Sequence, residues 1–468
     1  MRYHNDDTIA AIATAAGEAG IGIVRMSGAR AIEIADAVFR SRDRVRLAAQ
    51  ATHTIRYGWI VGPGAGPDAC RNRSVIDEVL VTVMRGPRTF TREDVVEINC
   101  HGGIVALRRV LELVCDAGAR IAEPGEFTRR AFLNGRIDLS QAEAVLDVIR
   151  AKTDAALATG VRQLRGVLSR RVSGLRARLI RILAVLEAHI DFPDEDIEPA
   201  DTVRLEKQAR DLDSELRRLL EQARCGRVMR EGVRTVICGR PNAGKSSLLN
   251  ALLEKERSIV TPVAGTTRDV IEEYIDIRGI PIRIMDTAGL LEPRDLVERK
   301  AVARARECIR QADLVVLVFD GTIPLDRHIR SMMRFVGTSR TIAVINKIDR
   351  RRRLKREDLA GRFTRVVEVS AKKLRNIDAL EDAVASFVFG GSVEFAEPVF
   401  VSNMRHIREL KEARKSIARA RVSLDNGVSA ELTAQHIRDA LGAIDELLGR
   451  RFSEDLLDSI FSRFCIGK

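Results

Sequence analysis

The order of apolar and polar residues in the first 134 positions predicts an α+β domain that mixes short strands and helices. Short apolar runs bounded by polar residues are typical of strands, and apolar residues three or four positions apart are typical of helices. Strands are predicted at 21–25, 79–83 and 94–98, helices at 28–39 and 104–115, and a loop at 62–67.

Two later parts of the chain have the spacing of long helices. The first has an apolar stripe that predicts a helix packed along one face, made by Leu168, Val172, Leu175, Leu179, Leu183 and Leu186. Residues 205–223 have similar spacing, and two or three more helices are predicted after Pro398. The acidic segment 191–196 is interpreted as a turn, with a metal site as the less favoured alternative.

Between these helical parts, strands and helices alternate. The strands are predicted at 235–238, 282–285, 314–319, 341–345 and 366–369. This pattern is typical of a doubly wound parallel sheet. The sheet domain is either inserted into one helical bundle or flanked by two separate helical domains, because both arrangements give the same pattern.

The segment after the first of these strands has the spacing of a phosphate-binding loop. Residues 239–246 read GRPNAGKS, which matches G-x-x-x-x-G-K-[ST] between a strand and a helix. Backbone N–H groups of such a loop surround a phosphate, Lys245 can reach the β- and γ-phosphates, and Ser246 can ligate Mg²⁺. The predicted nucleotide contacts here are Asn242, Ala243, Gly244, Lys245, Ser246 and Ser247.

Four downstream motifs predict that the nucleotide is GTP. Residues 265–269 (GTTRD) offer Thr267 as a second hydroxyl for Mg²⁺, and residues 286–289 (DTAG) end a strand where the γ-phosphate is expected. Asp349 of 346–349 (NKID) can accept two hydrogen bonds from guanine that adenine does not offer. The fourth motif, residues 370–372 (SAK), ends the last strand and suits a backbone contact to the guanine oxygen. Further predicted contacts are Asp286, Thr287, Ala288, Gly289, Asn346, Lys347, Ser370, Ala371 and Lys372.

The residue after the DTAG motif is informative. Many small GTPases have a glutamine there that orients the attacking water, but this chain has Leu290, which cannot form a hydrogen bond through its side chain. Another group must place the water, and the candidate acids downstream are Glu292, Asp295 and Glu298. Asn242 can offer an oxygen to a monovalent cation, although it can equally serve only to hold the loop.

Composition limits the class of protein. The chain has 468 residues, a net charge of +12 and 45% hydrophobic residues, which fits a multidomain globular protein and makes a polyanion such as RNA a plausible partner. A generally basic surface explains the charge equally well. The basic run 350–356 is interpreted as a solvated loop, with an RNA contact as the alternative.

Cysteine usage and the N-terminus indicate a reducing cytosol. The seven cysteines are scattered without a C-x-x-C pair. Asp6 and Asp7 stand where a signal peptide would be apolar, and the apolar run 314–319 is too short to span a membrane. Cys100 and His101 follow a predicted strand and precede two glycines, so a backbone turn is favoured there over a catalytic pair.

The motifs beyond the nucleotide site resemble the MnmE (TrmE) family of tRNA-modification GTPases. The resemblance covers essentially the whole chain, through residues 7–10, 20–28, 124–128, 130–135, 191–195 and the terminal FCIGK at 464–468. It implies an N-terminal folate-binding and dimerisation domain at 1–134, a helical domain at 135–231 and 391–468, and an inserted Ras-like GTPase domain at 232–390.

The resemblance also implies roles for individual residues. GTP hydrolysis in the family depends on K⁺-driven dimerisation of the GTPase domains, with Glu298 orienting the water. Asn242, Thr261, Val263 and Thr266 would be K⁺ ligands, and the loop that wraps the ion and contacts GTP would be Thr261, Pro262, Val263, Ala264, Gly265 and Thr266. A one-carbon tetrahydrofolate, in the 5,10-methylene or 5-formyl form, would lie near Arg25, Glu97, Arg136 and Lys468.

The implied partners are a second copy of the chain, the FAD-containing protein MnmG (GidA) in a heterotetramer, and tRNA. The implied reaction modifies the wobble uridine, with Cys465 near the modification centre; a buried thiol at a helix end is the alternative for Cys465. Two other functions stay open: an RNA-binding ribosome-assembly GTPase, which the charge would suit, and a folate-sensing scaffold. The chain departs from the family pattern at 15–19, Arg136, Pro262 and 300–301.

Overall fold

A computed structural model describes residues 7–15, 17–62, 75–192, 199–255, 273–285, 307–389 and 401–468. The chain forms two compact units. The first contains Met1–Leu146 and Leu448–Lys468, and the second contains Asp147–Leu447. Within the described ranges, no helix combines the length and the apolar character needed to cross a lipid bilayer.

The first unit is built on a seven-stranded sheet. Its strands are β1 (Ile9–Ile12), β2 (Gly22–Ser27), β3 (Phe39–Ser41), β4 (Thr54–Val61), β5 (Val75–Met84), β6 (Val95–Cys100) and β7 (Arg120–Ile121). The spatial order is β3-β4-β5-β6-β2-β1-β7, and only the β1–β7 pair is parallel. The sequence pattern predicted three of these strands and missed β1, β3, β4 and β7.

The first unit also contains helices. They are α1 (Ala31–Val38), α2 (Ile104–Asp116), α3 (Glu126–Leu133), α4 (Leu139–Arg150) and a C-terminal helix (Glu454–Phe461). The apolar sides of α1 and α2 share one core with the inward residues of β2, β5 and β6. Phe132 and Leu139 pack with Phe461 and Phe464, so the end of the chain completes this unit.

The second unit contains a helical part and a sheet. Its helices are α5 (Asp154–Leu164), α6 (Val167–Asp191), α7 (Pro199–Glu231), α8 (Lys245–Lys255), α9 (Arg327–Phe335), α10 (Glu357–Ala360), α11 (Ile377–Phe389), α12 (Met404–Asp425) and α13 (Ala430–Leu448). Arg176 of α6 pairs with Asp445 of α13 at 2.5 Å, and Asp213 of α7 binds Arg414 of α12 at 2.9 Å. Helices from both sides of the sheet domain in the sequence therefore pack together, which is the inserted arrangement.

The apolar stripe of α6 differs from the prediction at one position. Ile182 is fully buried, whereas Leu183 is only half-buried. The buried apolar residues are Leu168, Val172, Leu175, Leu179, Ile182 and Leu186, alternating steps of four and three. This spacing keeps one stripe facing its partners along the whole helix, so the prediction of Leu183 was wrong. Asp191 ends α6, and most of the predicted acidic turn lies outside the described residues.

The sheet of the second unit has six strands. They are β8 (Val233–Gly239), β9 (Glu273–Ile277), β10 (Ile280–Ile284), β11 (Leu314–Asp320), β12 (Thr341–Asn346) and β13 (Val366–Glu368), in the spatial order β13-β12-β11-β8-β10-β9. All pairs except β9–β10 are parallel. Both faces carry an apolar core, as a doubly wound sheet requires.

The strand order locates the site. β8 lies between β10 and β11. The chain continues from β8 to β9 and β10 on one side of β8, and then crosses to β11 on its other side. Ligands of doubly wound sheets bind at the carboxyl ends of the strands beside such a reversal. The loop after β8 lies at this position.

Candidate functional site

Two glycines of the phosphate-binding loop are required by their surroundings. Gly239 has φ of 152°, and a Cβ there would lie 2.3 Å from the carbonyl oxygen of Val318. Gly244 has φ of 93°, and its Cβ would lie 2.2 Å from Nδ2 of Asn346. A side chain at either position would both strain the backbone and displace a neighbour.

The lysine of the loop is held across it. Lys245 is the first residue of α8, and its Nζ donates to the carbonyl oxygens of Gly239 at 3.2 Å and Arg240 at 2.9 Å. Ser246 and Ser247 follow in the first turn of α8 with exposed side chains, whereas Ala243 is buried. The positive charge and two hydroxyl groups are therefore presented at the same end of one helix.

Asn346 joins three segments of the site. Its side chain is buried, and Nδ2 donates to the carbonyl oxygen of Ala243 at 2.9 Å. Its Oδ1 accepts from the N–H groups of Lys347 at 2.8 Å and Ala371 at 3.0 Å. One amide thus fixes the phosphate-binding loop, the NKID motif and the SAK motif relative to one another.

Lys347 makes a second connection. Its Nζ donates to the backbone oxygen of Asn242 and to Oδ2 of Asp320, both at 2.6 Å. Burial raises the pKa of Asp320, but its hydrogen bonds with Lys347 and Thr322 outweigh this and lower the pKa below the usual value. Asp320 therefore stays ionised and holds the ammonium group against the loop. Sequence reasoning missed Asp320, although its place at the carboxyl end of β11 was a signal.

Asp349 presents a carboxylate at the surface. Its Oδ1 accepts from Oγ of Ser370 at 2.5 Å, and this hydrogen bond lowers the pKa of Asp349. The ionised group is an acceptor only, as the recognition of two guanine N–H groups requires. Ser370 and Ala371 are buried beside it, and Lys372 is exposed.

The remaining predicted residues of the nucleotide site lie outside the described residues. They are Thr261, Pro262, Val263, Ala264, Gly265, Thr266, Thr267, Asp286, Thr287, Ala288, Gly289, Leu290, Glu292, Asp295 and Glu298. Among the residues that the structure does describe, no group of three or more His, Cys, Asp and Glu side chains is arranged to hold a metal ion.

A second cluster of predicted residues lies in the first unit. Arg25 of β2 and Glu97 of β6 are directly opposite in the sheet, and Nε of Arg25 is 2.8 Å from Oε1 of Glu97. Nη1 of Arg25 also donates to the backbone oxygen of Gly467 at 3.1 Å. The side chains of Arg25 and Glu97 retain 23% and 22% exposure, so a ligand can reach both.

The last residues of the chain are fixed against this cluster. The N–H of Phe127 donates to the backbone oxygen of Lys468 at 3.2 Å, and Gly467, at φ of 93°, packs closely on the backbone of Ile12. Cys465 is exposed, so the alternative of a buried thiol is wrong. The contacts of Phe127 and Gly467 were not predicted, because they join distant parts of the sequence.

Two other candidates lie apart from this contact. The guanidinium of Arg136 stacks over the ring of Phe90 at 6.0 Å, rather than joining the Arg25–Glu97 pair.

Cys100 is buried, its Sγ donates to the backbone oxygen of Gly22, and burial raises the pKa of the thiol to about 11. His101 is exposed and binds Asp77 at 2.6 Å. A protonated buried thiol is a poor nucleophile, which agrees with the preference for a backbone turn.

Comparisons with known proteins agree with this architecture. A family model described as the GTP-binding protein TrmE N-terminus matches residues 8–136, and one described as the MnmE helical domain matches residues 139–465. Among solved structures, a variant of Era from Aquifex aeolicus bound to GDP and aluminium fluoride is 27% identical, covering 39% of this chain and 65% of its own. Its TM-score of 0.26 is too low to support a conclusion.

Three relatives named tRNA modification GTPase MnmE align over the full length. The protein from Geobacillus kaustophilus is 47% identical over 467 residues, covering 99% of both chains. Those from Desulforamulus reducens and Staphylococcus aureus are each 44% identical over 466 residues, covering 99% of this chain and 100% and 99% of their own. With these identities over both units, the chain belongs to the MnmE (TrmE) family of tRNA modification GTPases.

Proposed function

We propose that this protein uses GTP hydrolysis to drive modification of the wobble uridine of tRNA. With an FAD-containing partner (MnmG/GidA), it would install an aminomethyl or carboxymethylaminomethyl group at C5 of that uridine, with carbon from a one-carbon tetrahydrofolate. The activity as a GTPase in tRNA modification follows from the family. The observation that carries the nucleotide assignment is the buried Asn346 amide, which fixes the phosphate-binding loop beside two guanine motifs.

The residues of the nucleotide site fit GTP with Mg²⁺. Asp349 and the SAK motif would bind guanine, and Lys245 with the loop N–H groups would bind the phosphates. Ser246 and Thr267 would hold Mg²⁺, and the exposed hydroxyl of Ser246 beside Lys245 suits this role. Bound there, the ion neutralises charge on the phosphate oxygens.

K⁺ and Glu298 would together take the role of the glutamine that many small GTPases have at the position of Leu290. The backbone oxygen of Asn242 is held by Lys347, so the side-chain oxygen is the atom that Asn242 can offer to K⁺. That side chain is exposed and makes no hydrogen bond within the described residues. Thr261, Val263 and Thr266 would complete the site when the GTPase domains of two copies meet.

We expect Glu298→Ala to lower kcat by about 10²- to 10³-fold with little change in GTP affinity, because a water-orienting base acts in the chemical step. Replacing K⁺ by Na⁺ should lower hydrolysis at least about tenfold, since K⁺ is the ion that this proposal requires for dimerisation. Phosphate release measures both effects. Glu254→Ala, an exposed acid of α8, is the matched control and should hydrolyse normally. Equal rates in the two salts would reject the K⁺ mechanism.

The folate would bind in the first unit at Arg25, Glu97 and Lys468, and Arg136, which stacks over Phe90, would contribute without joining the Arg25–Glu97 pair. A carboxylate suits the N–H groups of a pterin ring, and the cationic side chains suit the carboxylates of the folate tail. The paired, partly exposed Arg25 and Glu97 fit this chemistry. The bound folate supplies the one-carbon unit, and Cys465 lies exposed on the same terminal segment.

Arg25→Gln should raise the Kd of a reduced folate by about 10- to 100-fold, since a charge-assisted hydrogen bond contributes roughly 1.5–3 kcal/mol. Isothermal titration calorimetry measures this value. Arg30→Gln removes the same charge from an exposed pair with Glu33 and should leave the Kd unchanged. A normal Kd for Arg25→Gln, with an unchanged Tm, would place the folate elsewhere.

The proposed assembly is a homodimer that joins MnmG in a heterotetramer and acts on tRNA in the cytoplasm. The domains are 1–134 for folate and dimerisation, 135–231 with 391–468 for the helical domain, and 232–390 for GTP.

Mass spectrometry of tRNA nucleosides from a deletion strain tests the proposed modification of the wobble uridine. Loss of the C5 group, restored by this chain, supports it. Normal wobble uridines together with co-sedimentation on ribosomal subunits would instead support a ribosome-assembly factor.

A further inference from the structure

The basic loop, residues 350–356, has a concentration of charge that the nucleotide site does not explain. Six of its seven residues are Arg or Lys, and all six are exposed. Arg352 pairs with Glu368 at 2.9 Å. In the part of the chain that the structure describes, the other five cations make no ion pair, so the loop has a large surplus of positive charge.

The basic loop is nevertheless well fixed. Leu354, its only apolar residue, is 1% exposed. The N–H groups of Arg353 and Leu354 donate to the backbone oxygen of Gly321 at 2.8 and 3.2 Å. The N–H of Lys355 donates to Asp358 at 2.9 Å. A solvated loop needs no such anchors, whereas a fixed array of cations loses less entropy when it binds a polyanion.

Both ends of the basic loop connect to the guanine site. Its first residue, Arg350, follows Asp349 directly, and the N–H of Arg350 donates to the backbone oxygen of Lys347 at 3.1 Å. At the other end, Gly321 accepts from the loop and donates to the backbone oxygen of Asn346 at 2.9 Å. A shift of the basic loop would therefore displace Asn346 and Lys347, the two residues that hold the phosphate-binding loop.

A second basic surface lies between α6 and α7 but is more nearly balanced. This groove, of about 730 Å³, is lined by four arginines together with Asp211 and Glu215. Glu215 binds Arg171 at 3.4 Å and Arg178 at 2.9 Å. Two acids offset two of the four arginines, so the groove attracts phosphates less strongly than the basic loop does.

From this comparison we infer that the basic loop binds the phosphate backbone of RNA and that this binding is coupled to guanine-nucleotide affinity. The identity of the RNA as tRNA rests on the proposed function. The basic loop has no aromatic residue on which a base could stack, so it contacts phosphates without reading sequence. Because coupling between two sites is reciprocal, RNA must change nucleotide affinity by the factor by which nucleotide changes RNA affinity.

The test uses the full chain, an unmodified tRNA transcript and fluorescence anisotropy from about 50 to 200 mM salt. The variant R351Q/R353Q/R356Q removes three charges and keeps the Arg352–Glu368 pair, the Leu354 anchor and Arg350 beside Asp349. The matched control R181Q/R218Q/R419Q removes three exposed cations from α6, α7 and α12. In the loop variant, the slope of log K against log salt should shrink by about two to three, and the Kd near 150 mM should rise at least about tenfold. The control should change the Kd by less than about threefold.

Coupling is measured with a fluorescent GDP analogue. Saturating tRNA should change its Kd by about fivefold or more in the parent protein, and this change should disappear in the loop variant. Without RNA, the two proteins should have the same Kd for the analogue, which also shows that the variant is folded. The charge-conserving variant R351K/R353K/R356K should restore both RNA affinity and coupling.

Several results would overturn the inference. For tRNA binding, they are an equal affinity of the parent and the loop variant, an equal loss of tRNA affinity in the control variant, or no binding of tRNA by the parent. For coupling, the result is an unchanged nucleotide affinity when tRNA is added to the parent. Each of these results rejects the basic loop as an RNA contact coupled to the nucleotide, whereas the nucleoside measurement decides the proposed function separately. A parent that restores the modified uridine while its loop variant binds tRNA normally would leave the function standing and reject the basic loop as the RNA contact.

Discussion

Gly244→Ala is expected to raise the Kd for GTP by at least about 30-fold. A side chain at φ of 93° costs about 1–3 kcal/mol, and the new Cβ would lie 2.2 Å from Nδ2 of Asn346. Asn346 must then move, which breaks its hydrogen bond to Ala243 and costs roughly 1–3 kcal/mol more. The two effects together cost about 2–6 kcal/mol, and since about 1.4 kcal/mol corresponds to a tenfold change in affinity, this is roughly 30-fold or more.

Gly361→Ala is the matched control for this experiment. Gly361 follows α10 with φ of −71°, and a Cβ there would have open space. The substitution should leave nucleotide affinity within about twofold, since it adds a methyl group without strain. Calorimetric titration with GDP and GTP compares the two variants. If Gly244→Ala bound GTP within about fivefold of the parent, Gly244 and Asn346 would not control the shape of the phosphate-binding loop.

Asp349→Asn should invert the base preference of the site. The Asp349 carboxylate can accept from both N1–H and the exocyclic amine of guanine, whereas an asparagine offers one acceptor and one donor. Losing a charge-assisted hydrogen bond and leaving a donor unpaired costs roughly 3–6 kcal/mol, so GTP affinity should fall by about 10²- to 10⁴-fold. Xanthine has a carbonyl where guanine has the amine, so XTP should bind the variant better than GTP does.

Competition binding with GTP and XTP measures this inversion. Asp349→Asn keeps an oxygen that can accept from Ser370, so the local structure should persist. Asp382→Asn removes an exposed carboxylate paired with Arg278 and should leave both affinities unchanged. A variant at Asp349 that loses GTP and XTP together would indicate a damaged site, and one that keeps GTP would move guanine recognition to another residue.

The motifs of the second unit could be predicted because their chemistry is local. The phosphate-binding loop depends on eight neighbouring residues, and its spacing alone identifies it. The side chain that fixes the loop could not be found in this way. Asn346 reaches Ala243 across 103 positions of sequence, a contact that exists only because β12 and β8 end at the same edge of the sheet.

Other errors had local causes. The helical stripe of α6 was misplaced at Leu183 because Ile182 and Leu183 are adjacent and both apolar, and only the alternating four–three spacing separates them. The edge strand β9, of sequence EYIDI, was missed because it is short and half of it is polar. Its buried Ile275 and Ile277 alternate with polar residues, as expected of a strand with one face against the core.

The closure of the first unit by residues 448–468 has a consequence for synthesis on the ribosome. Residues 147–447 are translated between its two parts. At about 5–20 residues per second, this interval lasts roughly 15 to 60 s. During that time the nascent chain lacks Phe461, Phe464 and the terminal backbone that Arg25 and Phe127 bind. A nascent or truncated chain could therefore complete the nucleotide sheet while the cluster around Arg25 and Glu97 was still unfinished.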